Sequence, residues 1–472
     1  MNSANASANS KIIRKRIRLA VQVAIFLALL TAIISLFLSR SRAPSLPPGS
    51  DSSSSISNDP SQDAWLDGGR LRSVSDSRRT PEQIVSDKVL QFGKHRRQIV
   101  LDLAERHNEP VPDEVLKFFD AIDAGDWTEA DRLFQLMAKR SGQYDNSPPG
   151  DPKLNHFWPA VLETYGVAEQ AHNLPAAELL KFGEDILSTV PPGAVYIGGT
   201  DSGRFIPTLI AETSAVLRPV VLTQNALIDS RYLEYIQYLY GDRLALPTQA
   251  DAERLLAEYT ADATKRLEHD EQFPDQPKQV RHLEKVERKD GKVEVGGNAA
   301  VMGLNQRLLQ LILEKNPELS FILQESFPLK ETYAEAAPAG PVMQLRARDS
   351  SDPLPQAEAS KSVDYWRSIT SQMTSATHSD ESLKNYSHMA VAHGNLLAHN
   401  GHSAAAEQTY QLSLQIYSRN IDTVLNYHQF LLQNDRAPEA SHLLQNFKTQ
   451  NPDLESDLNK WLPPQQAAEQ LK

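Results

Sequence analysis

The chain has 472 residues, 40% hydrophobic and 23% charged, with no cysteine and a formal net charge of −12. That length predicts two or three domains, and the missing cysteine excludes disulfides, thiolate catalysis and cysteine zinc sites. Seven basic residues and no acidic one fall in residues 1–42. The rest is therefore more acidic still, which argues against nucleic acid as a partner.

Residues 1–18 form a basic tail. Residues 19–38 (LAVQVAIFLALLTAIISLFL) carry no charge, and twenty residues at about 1.5 Å each span a hydrocarbon layer of roughly 30 Å. They read as one transmembrane helix, a signal anchor. Five basic residues precede it and two follow, which places the N-terminus in the cytoplasm and the soluble part outside. The expected location is a bacterial inner membrane, with the soluble part periplasmic. The apolar run is longer than that of a cleaved signal peptide, and SRSRAPS is a poor cleavage site. Residues 39–80, rich in Ser, Pro, Asp and Gly, read as a flexible linker.

Residues 81–189 read as helical. Within them 115–124 and 128–139 are amphipathic, with Leu116, Phe119 and Ile122 on one face and Leu133, Phe134 and Met137 on the other. Gly125-Asp126-Trp127 separates them, so the pair predicts an αα-hairpin. From 190 the texture changes. Residues 194–197 and 219–223 are short β-rich runs, each followed by a helical stretch, 205–217 and 230–240. A charged helix covers 249–269. Lys289-Asp290-Gly291-Lys292 predicts a hairpin turn, and 298–315 a further helix. Residues 319–323 form a third strand and 342–345 a fourth, at the sheet edge. Strands separated by helices imply right-handed crossovers and a mainly parallel sheet. Residues 190–347 therefore read as a Rossmann-like α/β domain.

A polar linker covers 348–360, and 361–472 is helical again. Gly394, Ala406 and Tyr410 fall at the small, small and aromatic places of a tetratricopeptide repeat, and Ala440, Leu444 and Pro452 at corresponding places further on. Ala406 and Ala440 are one repeat length apart for that family. Residues 385–455 thus resemble a pair of such repeats, with the Trp and Leu-Gly places poorly kept. The expected fold class is α/β Rossmann-like plus all-α tetratricopeptide-like repeats, with one N-terminal transmembrane helix.

Ligands in an open α/β sheet bind beyond the carboxyl ends of the strands, at helix N-termini. Gly198, Gly199, Thr200, Asp201 and Arg204 follow the first strand. Gln224 and Asn225 follow the second, and Gln324, Glu325 and Ser326 the third. Gly296-Gly297-Asn298 opens another helix. Glycines let backbone N–H groups approach an anion. Asp201 can hold a metal or a sugar hydroxyl, and Arg204 can clamp a phosphate or carboxylate. Asp201 and Glu325 can form a paired-carboxylate site. The same residue types also make ordinary turns and helix caps. The order is neither the dinucleotide fingerprint nor the Walker loop, and no Ser nucleophile elbow is present. His388, His393, His399 and His402 lack a metalloprotease or carboxylate pattern and read as a surface face. No metal and no cofactor is expected.

GGTDSGRFIPTLIAE, RPVVLTQNALIDSRYLEYIQYLYG, GGNAAVMGLN and ILQESFPL together resemble a family of bacterial membrane-anchored proteins, found notably in Verrucomicrobia, that join an α/β domain to tetratricopeptide-like repeats. The middle domain is also similar to the soluble C-terminal part of multi-pass glycosyltransferase-like membrane proteins. In those, an Asp-rich turn follows one strand and the next strand reads Arg-Pro-Asp-Val. Here Asp201 stands in the turn, but Arg218-Pro219-Val220-Val221 lacks the aspartate. The resemblance covers about 190–345 and implies fold more than function.

Two functions follow as expectations. The first is a membrane-anchored extracytoplasmic interaction or scaffold protein, whose helical repeats take a protein or peptide partner. Its α/β domain would be structural or hold a small polar ligand, a sugar or phosphate. The second is an enzyme or accessory factor of envelope glycan or sugar metabolism. With no complete catalytic motif, the expectation leans away from an enzyme. The enzyme needs Asp201, Arg204 and Glu325 around an open pocket. An Arg204 held in an ion pair beside a plugged crevice favours the scaffold.

Overall fold

The computed structural model describes residues 79–142, 150–214, 219–289, 291–324 and 330–462. Helix α1 (Pro81–His107) starts on a capping box. The Thr80 hydroxyl accepts from the Gln83 N–H at 3.3 Å, and the Gln83 side chain accepts from the Thr80 N–H at 3.0 Å. It stops where Asn108 turns left-handed, with φ 52°. Helices α2 (Asp113–Asp123) and α3 (Trp127–Ala138) form the αα-hairpin, with Gly125 at φ +67° and the Asp126 carboxylate capping the Glu129 N–H. Val115, Phe118, Phe119 and Ile122 are buried while Leu116 is only half-buried. The apolar face is thus turned slightly from the one expected. Helices α4 (Trp158–Asn173) and α5 (Ala176–Leu187) complete this part.

The sheet begins with β1 (Val195–Gly198), followed by α6 (Asp201–Glu212) and β2 (Val220–Thr223). Then come α7 (Ser230–Tyr240), α8 (Gln249–Gln272), a separate hairpin of β3 (Lys285–Lys289) and β4 (Lys292–Gly296), and α9 (Gly297–Lys315). Strands β5 (Phe321–Leu323), β6 (Ala337–Ala339) and β7 (Val342–Leu345) finish it. The order is β2-β1-β5-β7-β6, parallel among the first three and antiparallel from β5 onward. Alternate residues face opposite sides, as a pleat requires. Val195, Ile197, Leu222 and Phe321 meet α7 and α9 in one core. Tyr196, Val221 and Ile322 meet Ile206 and Leu209 of α6 in the other.

The C-terminal part comprises α10 (Gln356–Gln372), α11 (Asp380–His399), α12 (Ser403–Ile416), α13 (Ile421–Gln433), α14 (Ala437–Gln450) and α15 (Glu455–Trp461). A Cβ on Gly394 would lie 2.6 Å from the Tyr410 ring, so glycine lets α11 and α12 cross this closely. Ala406 and Ala440 are fully buried.

This architecture corrects the expected fold class. The described structure is 67% helical, with fifteen α-helices around a small mixed sheet. The strand at 342–345 lies inside the sheet, and β6 takes the edge. The connection from β5 to β7 holds a 3-10 turn (Lys330–Ala334) and no α-helix among its described residues. The chain then returns antiparallel. Ala337-Pro338-Ala339 carries no β-branched or aromatic residue to announce a strand, and proline is tolerated there because the strand is at the edge. The N-terminal helices and the C-terminal helices also share the sheet's two cores. Among the described residues no helix is long and apolar enough to cross a membrane. The expected transmembrane helix at 19–38 lies outside the described residues.

Candidate functional site

The chain passes from β1 to β2 on one side and from β5 to β7 on the other. The strand order therefore reverses between β1 and β5, and a crevice belongs beyond their carboxyl ends. Gly198 ends β1, and a Cβ there would stand 2.4 Å from the Gly203 carbonyl oxygen. Glycine is needed so that α6 can start against the strand. Thr200 is the N-cap of α6, its hydroxyl accepting from the Gly203 N–H at 3.1 Å. Asn225 donates through Nδ2 to the Gly199 carbonyl at 3.3 Å, tying the first two turns together. Gln224 is buried at the start of the 3-10 turn Gln224–Ala226.

The crevice is filled by the chain itself. Gln324 is fully buried, and a Cβ on Gly203 would fall on its amide. Its Oε1 accepts a long hydrogen bond, 3.4 Å, from the Gly199 N–H. Arg204 donates to Asp201 at 2.7 Å, and its guanidinium lies 4.2 Å from the Phe205 ring centroid. The Arg204 side chain is 11% exposed and that of Asp201 32%. The two candidate charges thus neutralise each other. Glu325 and Ser326 lie outside the described residues, so the paired-carboxylate geometry is not among the described contacts.

Asn305 of α9 joins this cluster without having been expected. Its Oδ1 accepts from the Ile228 N–H at 3.0 Å, and its Nδ2 donates to the Asn225 carbonyl at 3.4 Å. The one trace it leaves in sequence is a polar residue beside the apolar stripe Val301, Leu304 and Leu308. The Gly296-Gly297-Asn298 turn goes elsewhere: Gly297, at φ +80°, packs against the Leu283 backbone beside the small hairpin.

The aromatic helix α7 has a structural task. In the edge strand β2, the N–H groups of Val221 and Thr223 point away from β1. They donate to the hydroxyls of Tyr240 at 3.3 Å and Tyr232 at 2.7 Å. The helix thereby covers an open sheet edge. Beneath it, Arg96 is fully buried. It donates through Nε to Glu163 at 2.7 Å, lies 3.6 Å from Glu212, and sits 4.4 Å above the Phe92 ring. Burial opposes its charge, yet Glu163, Tyr235 and Glu212 together hold its pKa above the ordinary value. Tyr235 donates to Glu163 at 2.6 Å, and burial raises its pKa well above that of a free phenol. This buried network links α1, α4, α6 and α7.

The four C-terminal histidines do not form the surface face expected of them. His393 is fully buried, with Nδ1 2.9 Å from the Ser362 hydroxyl. His388 pairs with Asp422 at 3.2 Å, while His399 is exposed. Elsewhere, a groove of about 410 Å³ is lined by Val85, Val89, Ile122, Trp127, His172 and Leu174. None of the sequence candidates lines it. Among the described residues, His107, His156 and Glu234 bring donor atoms within 4.8 Å of one another.

Comparison with protein families, with characterised proteins and with solved structures returns no match to this chain. The resemblance of the 190–345 segment therefore rests on its quoted motifs alone. Fold and site define a mainly helical protein with a small mixed sheet and a self-filled switch point.

Proposed function

We propose that this chain is an interaction protein in which the sheet is a scaffold. The observation that carries this reading is the filled crevice. Asp201 and Arg204 are paired with each other, and Gln324 occupies the space where a ligand's polar group would approach the Gly199 and Gly203 backbone, although Arg204 Nε and Gln324 Nε2 are buried without a hydrogen bond. The antiparallel helix pairs α11–α12 and α13–α14 supply the kind of stacked helical surface that takes a protein or peptide. With a formal charge of −12, the chain suits a partner presenting basic groups.

A thermal-shift series on the full chain tests this, using sugars, nucleotide sugars and nucleotides with Asp201→Ala alongside. Ligand at a hundred times its Kd stabilises by about 2.7 kcal/mol, a readily seen rise in Tm. The expected result is no shift. A shift that Asp201→Ala abolishes would replace this reading with that of an enzyme or accessory factor of envelope sugar metabolism. Such a protein would have to break the Asp201–Arg204 pair and swing Gln324 aside.

A further inference from the structure

His107 is the last residue of α1, His156 stands in the turn before α4, and Glu234 lies on α7. Three separate elements thus deliver two imidazoles and a carboxylate to one place. Glu234 straddles the pair, with Oε1 3.4 Å from His107 Nε2 and Oε2 3.5 Å from His156 Nδ1. Both distances are long for a charge-assisted hydrogen bond. They match the separation of about 3.3 Å between two ligand atoms on a tetrahedral ion with arms of about 2.0–2.1 Å. His107 Nε2 is buried and makes no hydrogen bond. Burying an imidazole nitrogen with no hydrogen bond and only this long carboxylate contact is costly, and a Lewis acid would relieve that cost.

A carboxylate stands near the place of the orienting group that metal-bound histidines use, though beyond hydrogen-bond reach. Glu109 Oε2 lies 4.0 Å from His156 Nε2. With Nε2–H turned toward Glu109, His156 presents a lone pair on Nδ1 toward Glu234. The His107 and His156 rings are stacked, with centroids 3.7 Å apart and planes 14° from parallel. They must fan apart for both lone pairs to converge on one ion. Glu234 is 47% exposed while the histidines are 20% and 18% exposed, so the site opens to solvent on the carboxylate side.

We propose that His107, His156 and Glu234 bind a divalent late first-row transition ion such as Zn²⁺, with a fourth position left to water. Nitrogen and oxygen donors of this kind suit that class of ion better than Ca²⁺ or Mg²⁺, which take all-oxygen sets. Bound there, the ion would tie the end of α1 to α7 and to the start of α4. The proposal does not depend on the scaffold reading, because none of these residues lies in the sheet crevice.

The test is a titration of metal-free full chain with Zn²⁺ against a chromophoric chelator, with Co²⁺ substitution as a spectroscopic check. The expected result is one tight site, with the strong visible bands of tetrahedral Co²⁺. His156→Ala and Glu234→Gln should abolish it, and Glu109→Gln should weaken it by about 10–100-fold. His442→Ala, at an exposed histidine on α14, should leave it unchanged. Glu234→Gln alters a half-exposed side chain, so it still reports on the site if His156→Ala fails to fold. No tight site in the unaltered chain, or Zn²⁺ binding that survives Glu234→Gln, would overturn the proposal.

Discussion

At the scale of single residues, the consequential groups are buried polar ones, and their partners decide their cost. Arg96 is the extreme case. A guanidinium with no exposure is sustained only because Glu163 and Glu212 lie beside it. Removing one partner of such a set strands the others. Arg96→Met should therefore destabilise the protein by about 3–5 kcal/mol. The midpoint of urea unfolding would fall while its slope stays constant. A change under about 1 kcal/mol, on the scale of an exposed pair, would show that water reaches this network. Nothing in the sequence marks Arg96 off from its neighbours Arg97 and Lys94. Which basic residue of α1 turns inward depends on where α4 and α6 pack. The crevice shows the same limit. The glycines, Thr200 and Asp201 are legible as a strand-to-helix turn, because those residue types suit one whatever surrounds it. That Gln324 fills the space in front of them is not.

At the scale of elements, the strongest patterns are the readable ones. The apolar runs of β1, β2 and β5 and the antiparallel pairing of β3 with β4, closing at Lys289 and Lys292, lie where periodicity and turn chemistry put them. Strand β6 leaves no such mark, because its hydrogen bonds come from β7 and owe nothing to its own side chains. His393 sits at the joint where α11 meets α10 and the β6–β7 turn, its ring edge-on to Trp366 at 5.3 Å. Burial, opposed by the nearby backbone of Pro341 and Val342, lowers its pKa from 6.5 to about 4. Between those values the unfolded chain binds a proton that the native chain does not, so native stability falls as pH drops through that window. The loss should reach about 3 kcal/mol at the acid end. Melting curves between pH 7 and pH 4 should show it, and His393→Gln should flatten the slope. An unchanged slope would mean that His393 takes up its proton without leaving the core.

At the scale of the whole molecule, neither of the two cores that flank the main sheet belongs to one stretch of sequence. One runs from Ile99 to Leu396 and the other from Val85 to Ala440, on opposite faces of the same sheet. Polar contacts reinforce the docking of the C-terminal helices. Glu178 of α5 accepts from the Ser379 hydroxyl at 2.6 Å, and Tyr386 donates to Asp185 at 2.5 Å. The sequence divides cleanly by texture at 190 and 348, but texture reports local periodicity and says nothing about which apolar faces meet. The chain should unfold in a single transition, with near-UV and far-UV circular dichroism superimposing. A fragment ending at residue 347 should aggregate, because it bares the face that α10 and α11 cover. Two separated transitions would show that the C-terminal helices stand alone.

The second core also sets a timetable. Val85 leaves the ribosome roughly 350 residues before Ala440, with which it shares that core. At roughly 5–20 residues per second, the interval is on the order of 20–70 s. For the later part of that time, once they are made, the apolar sides of α5 and α6 wait for a cover not yet synthesised. A nascent chain in this state is a natural client for a holding chaperone, and the cell's burden in making this protein falls on the wait before its last hundred residues arrive.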